Sequence, residues 1–295
     1  MITKIHFIVN PIAGSGHNKL DEEFLSEFFG NGFYEIQVKK SQYPKHAHEL
    51  TKRSIDEGAD IIVACGGDGT INEVASCLLN TQILLGIIPM GSGNGLASNL
   101  KIPKHIKKAL QIIKSYKSID IDVGTINNEI FFSNMGIGFD AHVISDFEKS
   151  TKRKLWSYIT SVLRTLKKYN YSNTVKLSYD NTTETISPFL LFVSNSNELG
   201  YHMSLTPQAS LQDGVLDMLI VPKLSFFYMV LFGMLFLIKK HYWLKKVRFV
   251  KTSSLHICNT SQQKMVAQKD GELLESIDNN IAITVLPRKL KVCIP

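Results

Sequence analysis

At 295 residues the chain is too long for one small domain, and with 44% hydrophobic and 20% charged residues it is not a disordered one. Its formal net charge of +7 favours an anionic partner, which could be nucleotide phosphates, nucleic acid or an anionic membrane. The four cysteines form no CxxC pair, which is typical of a reducing compartment. The N-terminus runs directly into a strand-like segment without a signal peptide, so we expect a cytoplasmic protein of two domains.

Strand and helix patterns alternate along the first third of the chain. Short β-rich runs predict strands at Ile5–Asn10, Tyr34–Val38, Ile61–Cys65 and Leu84–Pro89. Apolar spacing predicts helices between them, at Leu20–Phe29, His46–Glu57 and Ile71–Leu79. This order predicts a parallel sheet with helices on both faces, and therefore an α/β domain over residues 1–122.

Beyond about Asp120 strand candidates become frequent and helices rarer. The candidates are Ile130–Asn134, Thr174–Tyr179, Phe189–Ser194, Val215–Val221, Ser254–Cys258, Met265–Gln268 and Ile281–Leu286. Turn signals separate them, and helical insertions are predicted near 155–169 and 225–246. The pattern predicts an antiparallel β domain over residues 123–286.

The sequence Gly66-Gly67-Asp68-Gly69-Thr70, here called the Asp68 loop, follows an apolar strand and precedes a helix. Glycines at the carboxyl end of a parallel strand let backbone N–H groups approach a ligand, and the helix N-terminus favours phosphate. A carboxylate among such glycines has little structural purpose, so Asp68 is expected to handle Mg²⁺ or orient a hydroxyl group. The alternative is an Asp-Gly turn with Asp68 as a helix N-cap.

Two further polar, glycine-containing loops follow predicted strands. The Asn94 loop (residues 91–97) offers N–H, hydroxyl and amide donors, and the Asn10 loop (residues 10–16) lacks both Walker A and dinucleotide spacing. Each could be a glycine-rich turn of purely steric purpose. Three such loops at one sheet edge nevertheless favour a bound polyphosphate, and hence a nucleotide.

Two acidic turns lie in the second half of the chain. Asp270-Gly271-Glu272, here called the Asp270 turn, is by itself typical of an ordinary hairpin turn. The segment 212–217 contains Asp213 and Asp217, and indicates either a turn or a carboxylate metal site.

The segment Ser225–Ile238 is strongly apolar but too short to span a bilayer, which needs about 20 residues. Lysines, Tyr242 and Trp243 follow it directly, a composition that suits lipid headgroups. An interfacial or lipid-pocket helix is therefore predicted, with a plain core helix as the alternative. Together with Leu155–Tyr171 it could hold the acyl chains of a lipid.

Jointly these motifs resemble the diacylglycerol kinase catalytic family, which includes bacterial diacylglycerol kinases and sphingosine and ceramide kinases. The motifs that carry the resemblance occur in the family's order, and they are Asn10-Pro11-x-Ala13-Gly14, the Asp68 loop with Asn72-Glu73-Val74, the Asn94 loop, Gly136–Asp140, Asp213–Asp217 and the Asp270 turn. The resemblance implies an α/β nucleotide domain followed by a C-terminal β-sandwich, with residues 287–295 returning to the first domain.

The resemblance also implies an activity and its residues. The chain would be an ATP-dependent lipid kinase, with Glu272 as the catalytic base, Asp270 supporting it, and Asp68 in a Mg²⁺ and water network. Asp213 would belong to a structural Mg²⁺ site. The residues implied to bind ATP are Asn10, Gly14, Gly66, Gly67, Gly69, Thr70, Glu73, Gly91, Ser92 and Asn94.

Bacterial diacylglycerol kinases usually show Thr-x-Asn-Asp-Phe-Ala in the second loop, whereas residues 92–97 here are closer to the sphingosine and ceramide kinase version. The lipid substrate, diacylglycerol or a sphingoid type, is left open by this difference. An NAD kinase or an inactive lipid-binding protein is the alternative, and no nucleic-acid recognition motif is present. The expected partners are a lipid and an anionic membrane surface to which the protein binds peripherally, and a homodimer is left open.

Overall fold

The computed structural model describes residues 2–14, 20–30, 32–149, 155–169, 173–199, 203–274 and 278–295. Residues 15 and 16 of the Asn10 loop, and Tyr171 of the predicted lipid-contacting segment, lie outside the described residues. The chain divides into two compact units. The first comprises Met1–Ile121 and Arg288–Pro295, and the second comprises Asp122–Pro287.

The first unit alternates strands and helices over most of its length. Its elements in chain order are β1 (Thr3–Val9), α1 (Glu22–Phe29), β2 (Tyr34–Lys40), α2 (His46–Asp56), β3 (Ile61–Gly66), α3 (Asp68–Cys77), β4 (Leu84–Pro89), α4 (Gly95–Asn99), α5 (Ile106–Ser115) and the start of β5 (Ser118–Ile126).

The second unit is mainly β-structure. Its elements in chain order are the end of β5, β6 (Glu129–Phe131), β7 (Asn134–Gly138), α6 (Phe139–Glu148), α7 (Leu155–Lys168), β8 (Val175–Tyr179), β9 (Thr182–Ile186), β10 (Pro188–Ser194), β11 (Leu216–Pro222), α8 (Phe226–Leu237), a 3-10 helix at His241–Trp243, β12 (Arg248–Thr252), β13 (Ser254–Asn259), β14 (Ala267–Lys269), β15 (Glu272–Leu273) and β16 (Asn280–Cys293).

The sheet of the first unit is parallel, in the order β2-β1-β3-β4, and the end of β16 adds to β4 through the pair Val292 and Leu85. β3 is buried along its whole length, as expected of a strand covered on both faces. The register pairs Val9 with Cys65 and Gly66 with Pro89, so β1, β3 and β4 end at the same sheet edge. The loops that follow these strands therefore begin side by side.

The second unit holds two antiparallel sheets with a shared core. One runs β12-β11-β10-β7-β14-β15, and the other contains β9, β8, β13 and the first part of β16. Alternate side chains of both sheets form one apolar cluster, exemplified by Ile137, Leu191 and Met218 from the first sheet and Leu255 and Ile283 from the second. This is a β-sandwich, and the predicted combination of a parallel α/β unit with an antiparallel β-sandwich is confirmed.

Several element boundaries differ from the sequence prediction. α3 begins at Asp68 rather than Ile71, because the chain turns into the helix already at Gly67. Helices α4, α5 and α6 and strands β5, β9, β12 and β15 were not predicted, and the strand predicted at Ile130–Asn134 divides between β6 and β7. β16 runs for 14 residues, past the predicted end at Leu286, so that its last part belongs to the first unit. No helix among the described residues is long and apolar enough to cross a membrane.

Candidate functional site

The three glycine-containing loops of the first unit are tied together by backbone bonds at the sheet edge. Asn10 N donates to the Cys65 carbonyl at 2.9 Å, and Met90 N donates to the Gly66 carbonyl at 2.7 Å. These bonds fix the register of neighbouring strands at the points where the loops begin. The three loops therefore start side by side at the sheet edge.

Asp68 links its own loop to the Asn94 loop. Its Oδ2 accepts from Asn94 N at 2.7 Å, and its Oδ1 accepts from Gly95 N at 2.8 Å. The N-cap of α3 is Gly67, so the alternative reading of Asp68 as an N-cap is wrong. The expectation that Asp68 has little structural purpose is also wrong, because its carboxylate holds a loop 26 residues further along the chain. Its predicted metal role is a separate question and stays a prediction.

The Asn94 loop is closed by the side chain of Asn94. This buried amide donates to the Gly91 carbonyl at 2.7 Å and accepts from Gly91 N at 2.9 Å. Asn94 itself adopts a left-handed conformation with φ of 54°, which asparagine tolerates better than most residues. Asn94 thus shapes the loop from inside.

Two glycines of neighbouring loops touch each other. A Cβ added to Gly91 would lie 2.6 Å from the Cα of Gly67, which glycine at position 91 avoids, and a Cβ added to Gly67 would lie 3.3 Å from the Cα of Gly91. A Cβ on Gly66 would likewise lie 2.5 Å from the Thr70 Oγ1. The glycines therefore let the Asp68 and Asn94 loops approach each other, besides any role toward a ligand.

The Asn10 loop joins the same cluster through Thr70. The Asn10 Nδ2 donates to the Thr70 Oγ1 at 3.2 Å, and the Asn10 Oδ1 accepts from Ile12 N at 3.2 Å. Gly14 completes the turn with φ of 70°. The structure therefore brings together Asn10, Thr70, Asp68 and Asn94, four of the residues predicted for the nucleotide site.

In the Asp68 and Asn94 loops Gly69 and Ser92 are exposed, and in the described part of the Asn10 loop Pro11, Ile12 and Gly14 are exposed. The Lys104 Nζ lies 3.3 Å from the Ser92 carbonyl and places a cation beside the Asn94 loop. Lys104 was not predicted as a site residue. Glu73, which was also predicted to bind ATP, makes a hydrogen bond at the start of α2, where its Oε1 accepts from Lys45 N at 3.2 Å.

In the second unit, Asp270 anchors its turn to the strand segment before β7. One carboxylate oxygen accepts from Phe132 N at 2.8 Å, and the other accepts from Ser133 N at 2.7 Å and Asn134 N at 3.0 Å. The backbone N–H of Asp270 donates in turn to the Asn134 carbonyl at 2.8 Å. Asp270 therefore fixes its own turn, and its predicted support of Glu272 in catalysis stays a prediction.

Glu272 lies on β15, opposite Lys269 in the backbone register of the β14 and β15 strands. It is exposed, and within the described part of the chain its carboxylate makes no hydrogen bond or ion pair. Its oxygens are therefore available to a ligand, in contrast to those of Asp270.

A buried polar group behind the Asp270 turn was not predicted. The Gln268 Oε1 accepts from Gly271 N at 2.9 Å, while its Nε2 donates to the Asn134 Oδ1 at 3.0 Å and to the Asp140 Oδ2 at 2.6 Å. Burial raises the pKa of Asp140 from 3.8 to about 6, although the Gln268 bond partly opposes this. The Gly136–Asp140 motif was the available signal, and a Cβ on Gly136 would lie 2.2 Å from the Asp140 Oδ2.

Asp213, predicted at a structural Mg²⁺ site, lies beside a lysine. The Lys251 Nζ is 2.7 Å from the Asp213 Oδ2 and 3.6 Å from the Asp217 Oδ2. No group of three His, Cys, Asp or Glu side chains suited to a metal ion occurs among the described residues. The ammonium group already supplies positive charge at these two carboxylates, and the metal role of Asp213 stays a prediction.

Fold and loops together define an α/β unit with glycine-containing loops at one sheet edge, followed by a β-sandwich. Residues 4–126 match the family description "Diacylglycerol kinase catalytic domain", and residues 133–294 match "YegS C-terminal NAD kinase beta sandwich-like domain". The second match covers more than half of the chain, which therefore belongs to the family with this C-terminal domain, and the first match is to the catalytic domain that the motifs predicted.

Individual relatives agree with this membership. A Chromohalobacter salexigens protein named "Probable lipid kinase YegS-like" is 31% identical over 58% of this chain and 57% of its own length, so the chain spans little more than half of that relative. The diacylglycerol kinase of Bacillus subtilis is 27% identical over 91% of this chain and 89% of its own length. A solved structure of a candidate diacylglycerol kinase from Bacillus anthracis covers 99% of this chain and 95% of its own with a TM-score of 0.80; at 23% identity it supports the fold.

Proposed function

We propose that the chain transfers the γ-phosphate of ATP to the hydroxyl group of a lipid at the surface of a membrane. The observation that carries the proposal is the set of three cross-linked loops at one edge of the parallel sheet, closed by Asp68 and Asn94. Such an edge is where open α/β sheets bind ligands. Family membership supports the choice of a kinase reaction.

In this proposal the first unit binds ATP. The first N–H groups of α3 have no intrahelical acceptor, and the helix dipole adds partial positive charge, so a phosphate group fits there. Lys104 beside Ser92 adds a full charge to the same cluster. Because the loops are already closed by Asp68 and Asn94, little reorganisation is needed when charge develops during transfer.

Mg²⁺ fits this unit only in a limited way. Both oxygens of Asp68 accept a backbone bond, but a carboxylate oxygen has two lone-pair sites, so each keeps one acceptor position. Asp68 suits an ion held mainly by the phosphates and contacted through water. Such an ion would neutralise charge on the transferring phosphate.

In the second unit Glu272 is the proposed base. Its exposed carboxylate accepts the proton of the lipid hydroxyl group as the oxygen forms a bond to the γ-phosphorus, and the bond from that phosphorus to the β-phosphate oxygen breaks, releasing ADP. Asp270 and Gln268 hold the turn that presents Glu272. The substrate class, diacylglycerol or a sphingoid-type lipid, stays open because residues 92–97 depart from the usual bacterial sequence.

The test is transfer of labelled γ-phosphate from ATP with Mg²⁺ to detergent-dispersed diacylglycerol, monoacylglycerol, sphingoid bases and ceramide, with NAD as control acceptor. The wild-type chain is expected to label one lipid class, and Glu272→Gln is expected to lower the rate by a factor of about 10²–10⁴. Labelled NAD without labelled lipid, or full activity of folded Glu272→Gln, would contradict the proposal.

A further inference from the structure

Helix α8 carries an apolar face that the described residues leave uncovered. One side of the helix, including Met229 and Phe232, packs on the buried cluster beneath it. The opposite side carries Phe227, Met234 and Leu237, whose exposed fractions are 83%, 63% and 77%. No residue of α8 is fully buried. The alternative of a plain core helix therefore does not hold for this face.

Cations and aromatic rings lie directly after the same helix, and one cation contacts it. Trp243, just beyond the helix, is 62% exposed, and the Lys240 Nζ lies 5.4 Å from its ring. The Lys246 Nζ lies 4.4 Å from the ring of Tyr228 on α8. Residues 223–251 contain no Asp or Glu and seven cations, which are Lys223, Lys239, Lys240, Lys245, Lys246, Arg248 and Lys251. Some of these contact acids elsewhere, as Lys239 does with Glu198 at 3.6 Å.

The combination of an apolar face with a cationic border restricts what can cover it. A second copy meeting this face about a two-fold axis would place the same cations opposite each other, which is unfavourable. An anionic bilayer satisfies both features, because the acyl region accepts the apolar side chains and the headgroups pair with lysines. At 12 residues the helix is about 18 Å long, too short to cross the roughly 30 Å apolar layer, so it fits lying in the membrane plane.

We propose that α8 and Trp243 insert into the interface of an anionic membrane, with the exposed face of α8 toward the acyl chains and Lys245 and Lys246 at the headgroups. This inference rests on the proposed function, because a lipid kinase has to reach its substrate in a membrane. It adds the segment of the chain that meets the membrane. Docking by α8 brings the second unit to the lipid phase without requiring the lipid substrate to leave the bilayer.

The test is sedimentation of the purified chain with vesicles, without nucleotide or kinase substrate, so that its result does not depend on the kinase activity. Vesicles of phosphatidylcholine alone are compared with vesicles that also contain phosphatidylglycerol. The triple variant Phe227→Gln/Met234→Gln/Leu237→Gln is expected to lower partitioning onto the anionic vesicles by at least about tenfold. Lys245→Gln/Lys246→Gln is expected to lower it by about tenfold at low salt and less at about 0.5 M salt.

A matched control is Phe33→Gln, which removes a side chain of similar exposure (74%) from the first unit and is expected to bind as wild type. Because Trp156 and Trp243 are the only tryptophans, Trp156→Phe leaves Trp243 as a single reporter, and its emission is expected to shift to the blue on anionic vesicles. Wild-type binding by the triple variant, or no effect of phosphatidylglycerol, would overturn the inference. So would a wild-type dimer that the triple variant converts to a monomer, since α8 would then be an interface between copies.

Discussion

The two carboxylates of the Asp270 turn are expected to have different roles. Asp270 contributes to the stability of the fold, and Glu272 contributes to the transfer reaction. Asp270→Asn keeps the size of the side chain, and asparagine tolerates the φ of 48° at this position. The variant replaces one carboxylate oxygen with an NH₂ group, which cannot accept a hydrogen bond from the backbone N–H groups that face it. Asp270 accepts three backbone N–H bonds, and bonds to a charged group contribute about 1.5–3 kcal/mol each. Since asparagine can keep some of them through its single oxygen, we expect a loss of about 3 kcal/mol.

A loss of that size corresponds to a fall in melting temperature of about 6–12 °C for a unit of this length. Calorimetry of the wild type, Asp270→Asn and the neighbouring Glu272→Gln measures it directly. Because Glu272 is exposed and makes no bond within the described residues, Glu272→Gln is expected to change stability by less than about 0.5 kcal/mol while abolishing transfer. Equal melting temperatures for all three proteins, or equal destabilisation by both variants, would refute this division of roles.

Three further predictions address the loops and the buried acid. Asp68→Asn is expected to weaken ATP binding about tenfold or more, measured by titration calorimetry, because the amide cannot accept from both Asn94 N and Gly95 N; wild-type affinity would disprove it. Gly91→Ala is expected to destabilise the first unit by about 1–3 kcal/mol in urea unfolding, because its Cβ meets the backbone of Gly67, and an unchanged midpoint would argue against that contact. The raised pKa of Asp140, about 6 in the folded state against 3.8, gives stability present below pH 3.8 and lost as the pH rises through 6. Asp140→Asn should therefore be more stable at pH 7, by on the order of 3 kcal/mol, and should lack the decline between pH 4 and 6, whereas a wild-type pH profile would contradict the buried charge.

Much of the fold could be predicted because the patterns that specify it lie within short stretches of the sequence. Apolar runs such as Ile61–Cys65 and the alternation of strands with helices along the first unit specify a parallel sheet. Helix α5 was missed although its apolar residues have helical spacing. The strand predicted at Ile281–Leu286 ended too early, since β16 continues through Pro287 and through Arg288, whose φ is 53°, to Cys293.

The contacts that build the site are long-range and could not be predicted. Asp68 bonds residues 26 and 27 positions away, and Asp270 bonds residues 136 to 138 positions away. A single sequence indicates which residues are polar and glycine-rich, but it does not indicate which backbone N–H a carboxylate will reach. Asp68 was therefore placed correctly at the sheet edge but given an incomplete role, and Gln268 was not noticed.

The distribution of hydrogen bonds gives a physical reason to assign different tasks to acids that look alike in the sequence. A base must offer a lone pair to the departing proton at the moment of reaction. Asp68 and Asp270 use both of their oxygens to hold backbone N–H groups, so protonating either would weaken the loop or turn that it organises. Glu272 carries no such commitment within the described residues, and two neighbouring residues hold its turn in place from behind. The acid that contributes least to the fold is therefore the one best suited to accept a proton repeatedly.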